Sequence, residues 1–249
     1  LYIRLDAFTT AWANTGVLQD KIKTFDLNFV AGADYTSANV NKTVAGIGNF
    51  TLANNKIIRT GEGDITVSAG NNITLGTGVI YTVGKADPDA VGFTKPSAAT
   101  AASYVNNGGD IRIEAQGNIS GTATTQSVNQ WLLRQAGNAS STTDTSWWVR
   151  PDLFQQGVAA LGGGDVNITA GGNITNVSAS SATNAQFDNK GEKLTNNSVI
   201  NGGGDVNVIA GGNITIGVYY VGRGKLKIDT NGNIGKPENS PDNSQGVFI

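Results

Sequence analysis

Residues 163–175 read GGDVNITAGGNIT, and residues 203–215 repeat them almost unchanged as GGDVNVIAGGNIT. Two further copies are GDITVSAGNNIT at residues 63–74 and GGDIRIEAQGNIS at residues 108–120. A more divergent copy, GKLKIDTNGNIG, occupies residues 224–235. Repeated copies of one short motif within a single chain indicate a repeat architecture, in which each copy packs against the next.

The first half of each copy predicts a strand. Val166 and Ile168 flank the polar Asn167, and the other copies keep the same order of apolar and polar residues. Alternation with a period of two, built from β-branched residues, predicts a strand that buries one face. The aspartate before the strand, such as Asp165, is expected to accept hydrogen bonds from its own turn. A calcium site is the weaker alternative, because the copies lack the tandem nonapeptide spacing of calcium-binding repeats.

The second half of each copy predicts a corner and a second short strand. Glycine and asparagine, which adopt positive φ at low cost, occupy the corner, so we expect a tight turn there. An Asn-Ile pair then opens the second strand, and stacking of the copies places asparagine above asparagine in a ladder of side-chain amides. The predicted corner and ladder residues are Gly171, Gly172, Asn173, Gly211, Gly212 and Asn213.

Stacking of the copies predicts an all-β parallel β-helix, a solenoid, because one copy alone buries too little apolar surface. The shortest step, 20 residues from Asp205 to Lys225, gives the length of one turn. The 40-residue step from Asp165 to Asp205 then corresponds to two turns, or to one turn with an insertion. Fainter copies are predicted at residues 26–35 and 49–58.

Three segments interrupt the repeats, at about residues 84–105, 121–162 and 177–200. Each follows the second short strand of a copy, so we expect irregular insertions on one side of the solenoid. The chain has no methionine and begins in the middle of an alternating pattern. We therefore interpret residues 1–249 as a single β-helix segment of a longer chain.

Composition narrows the possible functions. Among 249 residues there are 34 glycines, no cysteine and no histidine, and the formal net charge is −2. The sequence has no basic run and no apolar stretch of membrane-spanning length, so neither a nucleic-acid partner nor a membrane-spanning helix is expected. We predict no metal, no cofactor and no catalytic residue, because the carboxylates are scattered among outward-facing asparagine and threonine. A polysaccharide-degrading β-helix enzyme stays open as an alternative.

The longest insertion carries the candidate binding residues. Residues 127–136, SVNQWLLRQA, begin with Ser127 as the N-cap candidate and precede Gly137, which predicts a short helix. The aromatic and basic residues of this insertion are candidates for a surface that stacks on a sugar or a protein partner. The alternative is that the rings pack the insertion against the flank of the β-helix. The candidates are Trp131, Arg134, Trp147, Trp148 and Arg150.

The repeats, together with WWVRPDLFQQGVAALGGGDV at residues 147–166, resemble large filamentous-haemagglutinin-type exoproteins of Gram-negative bacteria. The resemblance implies a right-handed parallel β-helix, export by two-partner secretion and a place at the cell surface or in the extracellular matrix. We therefore expect a structural or adhesive rod or fibre that contributes to biofilm. Its expected partners are surface glycans, receptors on host or neighbouring cells, and further copies of itself joined end to end. A passive carbohydrate-binding module that uses the tryptophans is a further alternative.

Overall fold

The regular secondary structure in the described part of the chain consists almost entirely of short strands. The computed structural model describes residues 25–96, 102–123, 126–136, 143–155, 157–188, 197–235 and 247–248. The strands are, in chain order, β1 (Leu27–Ala31), β2 (Phe50–Thr51), β3 (Ile57–Thr60), β4 (Ile65–Ala69), β5 (Ile73–Gly76), β6 (Val79–Thr82), β7 (Lys85–Ala86), β8 (Val105–Asn106), β9 (Ile111–Ala115), β10 (Ile119–Gly121), β11 (Leu132–Gln135), β12 (Thr145–Val149), β13 (Gly157–Ala160), β14 (Val166–Ala170), β15 (Ile174–Thr175), β16 (Ala179–Ser181), β17 (Thr183–Phe187), β18 (Val199–Gly202), β19 (Val206–Ala210), β20 (Ile214–Thr215), β21 (Gly217–Val221), β22 (Leu226–Thr230), β23 (Ile234–Gly235) and β24 (Val247–Phe248).

Three parallel six-stranded sheets form the body of the protein. The first sheet has the order β1-β4-β9-β14-β19-β22, and the second has the order β2-β5-β10-β15-β20-β23. The third sheet has the order β3-β6-β13-β16-β21-β24. Along the chain, the strands visit the first, second and third sheets in turn and then return to the first. The prediction of an all-β fold with parallel strands is therefore confirmed.

Successive copies of the repeat pair directly and in register. Val166 of β14 lies opposite Val206 of β19 on one side and opposite Ile111 of β9 on the other. Because like residues are always opposite, every copy buries the same face. The 40-residue step therefore corresponds to one repeat with an insertion, since β14 and β19 are immediate neighbours.

The third strand of each repeat has no recognisable motif, and the sequence analysis missed it. Its inward residues range from Ile80 and Val158 to Ala179 and Tyr219. The predicted copy at residues 26–35 is confirmed, because β1 pairs in register with β4. Residues 49–58 are not a separate copy. They supply β2 and the start of β3, the second and third strands of that same repeat.

The main core lies between the three parallel sheets. The inward Ile and Val residues of the repeats, such as Ile113, Ile168 and Ile214, are fully buried there. Burial of each such side chain contributes roughly 1.5–3 kcal/mol relative to its exposed state. Small alanines at the strand ends, such as Ala170, let the chain turn closely beside the strand of the neighbouring repeat.

The three interruptions leave the parallel sheets at two different places. In the first and third segments, the strands outside the parallel sheets begin after β6 and β16 of the third sheet. In the second segment they begin after β10 of the second sheet. The expected common point of departure is therefore wrong, because the unrecognised third strand lies between the repeat motif and two of the insertions. Strands β13 and β16, which fall inside the predicted segments 121–162 and 177–200, belong to the third parallel sheet.

The second and third insertions build one antiparallel sheet together. Its order is β11-β12-β17-β18, and we call it the insertion sheet. The helix predicted at residues 127–136 is wrong beyond its first turn. Only Val128–Gln130 forms a 3₁₀-helix, and Leu132–Gln135 continues as strand β11. This segment is extended because β11 pairs with β12, whose residues the sequence pattern did not connect to it.

Candidate functional site: stacked corners and an insertion surface

Two ladders of hydrogen bonds run across the stacked repeats. In one, the Oδ1 atom of an asparagine accepts the backbone N–H of the asparagine in the next repeat. Asn118 thus accepts from Asn173, and Asn173 accepts from Asn213, both at 2.7 Å. The ladder extends from Asn49 to Asn233 with distances of 2.7–3.1 Å. Asparagine lies above asparagine in successive repeats, but the donors are mainly backbone N–H groups and not the side-chain amides that the sequence analysis predicted.

The aspartates before the first-sheet strands form the second ladder. Asp110 Oδ1 accepts the N–H of Asp165, and Asp165 Oδ1 accepts the N–H of Asp205, both at 2.7 Å. The ladder ends at Lys225, whose N–H donates to Asp205 at 2.8 Å. Our expectation that each aspartate caps its own turn is therefore wrong, because its acceptor atom serves the neighbouring repeat. A carboxylate accepting an N–H forms a stronger hydrogen bond than a neutral acceptor.

The corner glycines are required by close approach and not by backbone conformation. None of Gly171, Gly172, Gly211 and Gly212 has positive φ, so that reason for glycine is wrong here. A Cβ atom on Gly212 would overlap the Oδ1 atom of Asn173, and a Cβ on Gly211 would overlap the carbonyl of Gly171. The second corner position is therefore glycine because the ladder asparagine of the preceding repeat lies against it.

Trp131 lies in a second core between the third sheet and the long insertion. Its side chain is 3% exposed, and its ring meets those of Phe154 and Tyr220 edge-on at centroid distances of 5.4 and 6.1 Å. Val149 of β12 and Leu161 complete this contact. The structure thus places Trp131 where it anchors the insertion to the outer face of the third sheet.

Trp148 lies on the opposite face of the insertion sheet. It is also 3% exposed and packs near Tyr104, at a centroid distance of 6.3 Å, while Tyr104 meets Phe93 edge-on at 5.5 Å. Both aromatic partners belong to the first insertion. Trp131 and Trp148 are therefore buried on separate faces and do not form one accessible stacking surface with Trp147.

Trp147 and Arg134 lie on a partly exposed face of the insertion sheet. They are opposite each other on β12 and β11, and the ring of Phe187 lies 5.3 Å from that of Trp147. Ile200 on β18 extends the same face and is 42% exposed. We call Arg134, Trp147, Phe187 and Ile200 the Trp147 surface. Sequence reasoning missed Phe187 and Ile200, because nothing in the sequence links the third insertion to the second.

The indole of Trp147 is held in place. Its Nε1 atom donates to the Thr183 hydroxyl at 3.1 Å, and the Thr183 side chain is itself buried. Arg134 is exposed, whereas Trp147 and Phe187 are half-buried. A fixed aromatic edge beside an exposed cationic side chain suits contact with another molecule, because little side-chain entropy is lost on the aromatic side.

Arg150 is engaged within its own turn. Its Nε and Nη2 atoms donate to the two carboxylate oxygens of Asp152 at 2.8 and 2.6 Å. The hydrogen bonds from Arg150 lower the pKa of Asp152, with a smaller opposing effect of burial. Both hydrogen bonds lie at the 3₁₀-helix Pro151–Leu153, which comes directly after β12. Arg150 therefore stabilises this turn, which lies beside the second core.

Buried polar side chains join the first insertion to the insertion sheet. The fully buried Asp144 accepts the N–H of Thr94 at 2.7 Å, and the buried Gln186 accepts the N–H of Ala90 at 2.6 Å. Asn201 donates to the Asp87 carboxylate at 2.6 Å. Buried backbone N–H groups cost free energy when they have no partner, so these contacts stabilise the fold of the first insertion.

Exposed ion pairs also lie on the outer face of the first sheet. Arg112 pairs with Glu114 at 2.6 Å, and Lys227 pairs with Asp229 at 3.3 Å. Across the described ranges, no cluster of three Asp, Glu, His or Cys side chains is arranged to hold a metal ion. No helix in the described part of the chain has the length and apolar character needed to span a membrane.

Comparisons with protein families, with curated proteins and with solved structures find no match for this chain. We therefore infer the function of the chain from the geometry of its repeats and of the insertion sheet.

Proposed function

We propose that the chain is a segment of a right-handed parallel β-helix that forms a rigid rod in a secreted bacterial exoprotein of the filamentous-haemagglutinin type. The rod has a structural and adhesive role at the surface of a Gram-negative cell or in its extracellular matrix. Its action is mechanical: stacked repeats give stiffness, and the insertions provide contact surfaces.

One observation carries this proposal. The strands visit three parallel sheets in a fixed cyclic order, and each repeat pairs in register with the next across insertions of different length. Parallel strands joined by crossovers are right-handed in nearly all proteins, which supports the proposed handedness. The aspartate and asparagine ladders add an in-register hydrogen bond at each step, which supports a stiff axis.

The proposed rod predicts a measurable shape. Each stacked repeat adds ~4.8 Å along the axis, so the longest dimension grows in proportion to the number of repeats. Small-angle scattering of this chain, and of a second chain lengthened by duplicating residues 206–225, tests the proposal. We expect the maximum dimension to increase by one strand spacing while the cross-section stays constant. A constant maximum dimension in the lengthened chain would contradict the rod.

We propose the Trp147 surface as the adhesive contact, with surface glycans or receptor proteins as partners. Its exposure and the fixed indole favour this contact over Trp131 and Trp148. Trp147→Ala is expected to reduce binding to immobilised cell-surface glycans by at least tenfold, and Thr169→Ala, on the outer face of the first sheet, serves as the matched control. Equal binding by both variants would exclude the Trp147 surface as the contact. Release of new reducing ends from acidic polysaccharide would instead favour the enzymatic alternative.

We also propose end-to-end self-association through the sheet edges, which carry backbone groups able to pair with another strand. Analytical ultracentrifugation over a range of concentrations tests it. We expect species that lengthen with concentration, and a single monomeric species at all concentrations would contradict it.

A further inference from the structure

The parallel sheets end in two opposite faces that both present part of the apolar core. We call the face formed by the edge strands β1 and β2 the β1 face, and the face formed by β22 and β23 the β22 face. Ile234 of β23 is 51% exposed, whereas its neighbour Ile214 in β20 is fully buried. The other core residues that are only partly buried at these faces are Leu27, Phe29 and Phe50 at the β1 face, and Leu226 and Ile228 at the β22 face.

The asparagine ladder ends in complementary groups at the two faces. Asn233 donates its N–H to Asn213 at 2.8 Å, and no described residue donates to Asn233 Oδ1. Asn49 Oδ1 accepts the N–H of Asn72 at 3.1 Å, and within the described ranges no group accepts the N–H of Asn49. The β22 face thus ends in a ladder acceptor, and the β1 face ends in a ladder donor.

The aspartate ladder ends in opposite charges. Asp26 at the β1 face accepts the N–H of Asp64 at 2.9 Å, and Lys225 at the β22 face donates its N–H to Asp205 at 2.8 Å. Both terminal side chains are exposed. Every ladder residue from Asp26 to Asp205 is an aspartate, and the single cation occupies the other end. The two faces are therefore complementary in charge as well as in hydrogen bonding.

We propose that the β22 face binds the β1 face of a second copy of this chain, in the register by which β19 already pairs with β22. This inference rests on the end-to-end self-association proposed above and specifies its two faces and its register. Asn233 Oδ1 then accepts the N–H of Asn49 of the next copy. The other residues brought together, with the β22 face named first, are Lys225 with Asp26, Leu226 with Leu27, Ile228 with Phe29 and Ile234 with Phe50.

This contact joins two different faces, so each added copy leaves one face of each kind open, and a filament grows. The junction repeats the spacing of ~4.8 Å between neighbouring strands inside the chain. At that spacing, the Lys225 ammonium group lies beside the Asp26 carboxylate of the next copy, and their attraction favours a head-to-tail over a head-to-head contact.

Disulfide trapping tests the register, because the chain has no cysteine of its own. The proposal places Lys227 directly opposite Asn28 of the next copy, and both residues are exposed. A Lys227→Cys chain mixed with an Asn28→Cys chain should form a mixed disulfide under mild oxidation. The matched control mixes Lys227→Cys with Val30→Cys, whose Cα atoms would be about 8 Å apart, beyond the reach of a disulfide. We expect at least about tenfold less mixed disulfide in the control.

Asn233→Ala provides a second measurement. It removes an acceptor that the described part of the chain does not use, so we expect an unchanged melting temperature and an association constant about fivefold lower. Asn213→Ala is the control inside the stack and should lower the melting temperature, because Asn213 Oδ1 accepts the N–H of Asn233.

The outcomes separate this inference from the self-association on which it rests. Association with equal trapping in both mixtures, or with undiminished affinity in Asn233→Ala, would overturn the register and leave end-to-end association standing. A single monomeric species at all concentrations would overturn both.

Discussion

Asn173 accepts the backbone N–H of Asn213 at 2.7 Å, and its side chain lies against Gly212, the residue just before Asn213. One asparagine therefore determines two features of the next repeat, a hydrogen bond and the need for glycine. The same relationship links Asn118 to Gly172 and Asn173. The corner sequence Gly-Asn is thus a consequence of the preceding corner in the stack.

Gly212→Ala is expected to destabilise the protein by about 2–4 kcal/mol, although Gly212 has no positive φ. The added Cβ would overlap Asn173 Oδ1 and displace the ladder hydrogen bond. Thermal unfolding measures the effect, and Thr169→Ala on the outer face of the first sheet is the control. Unchanged stability of Gly212→Ala would show that the corner relaxes without loss of the ladder.

Asn173→Ala and Asn173→Asp separate the hydrogen bond from the side-chain volume. The alanine variant loses the acceptor for the N–H of Asn213, which costs about 1–2 kcal/mol. The aspartate variant keeps an acceptor oxygen, as Asp165 does in the parallel ladder, so we expect a smaller loss. Chemical denaturation of both variants measures the difference. Equal losses would argue against the ladder as a source of stability.

Ile216→Asn is expected to raise stability by about 1 kcal/mol. Ile216 has φ of +57°, a conformation that a β-branched residue adopts at a cost, and Asn176 has the same φ at the equivalent place in the preceding repeat. Asparagine tolerates this conformation better than isoleucine. Ile209→Asn, at an exposed position whose φ is not positive, is the control and should bring no gain. A loss of stability in Ile216→Asn would mean that the apolar contacts of Ile216 outweigh the strain.

Alkaline pH is expected to destabilise the protein through its buried tyrosines. Burial raises the pKa of Tyr104, Tyr219 and Tyr220 above the ordinary value of about 10. Above pH 10 the unfolded chain releases these protons and the folded chain keeps them, so stability falls as pH rises towards the folded pKa values. Denaturant unfolding between pH 9 and 12 measures the slope, which should be less steep in Tyr219→Phe. An unchanged slope would exclude Tyr219 as a contributor.

Trp148→Ala and Trp147→Ala should differ in their effect on stability. Trp148 is almost fully buried, and its truncation leaves a cavity that costs about 3–5 kcal/mol. Trp147 is half-buried on the Trp147 surface, so its truncation should cost less than half as much. Melting temperatures of the two variants test this order, and a larger loss for Trp147→Ala would contradict the described faces of the insertion sheet.

The sequence predicted the parts of the fold that depend on local repetition. The alternation around Ile168 and Val208 predicted paired, half-buried strands, and the repeated Asn-Ile predicted a ladder. The sequence did not reveal the third sheet, because its inward residues do not repeat. Residues as different as Ala179 and Tyr219 occupy the same inward position in successive repeats. The inward residues of the third sheet vary in volume from repeat to repeat, whereas the ladder position, which makes the same hydrogen bond in each repeat, is always asparagine.

The candidate site was less predictable, because it depends on contacts between distant segments. Trp131, Trp147 and Trp148 stand out in the sequence, but one sequence pattern cannot tell which ring faces which side of the sheet. Adjacent residues on a strand point in opposite directions, so Trp147 and Trp148 separate as soon as β12 forms. Strand β12 pairs with β11 of its own insertion and also with β17, from another insertion.

Strands β9 and β14 are neighbours although the ladder residues before them, Asp110 and Asp165, are 55 residues apart. Strands β19 and β22 are also neighbours, although the ladder residues before them, Asp205 and Lys225, are only 20 apart. The parallel sheets therefore accept inserted segments of very different length without altering their own pairing. Closing a longer loop costs only ~0.6 kcal/mol per doubling of its length. The inserted segments, and the surfaces that they present, can thus be exchanged by evolution or by engineering while the three parallel sheets keep their pairing.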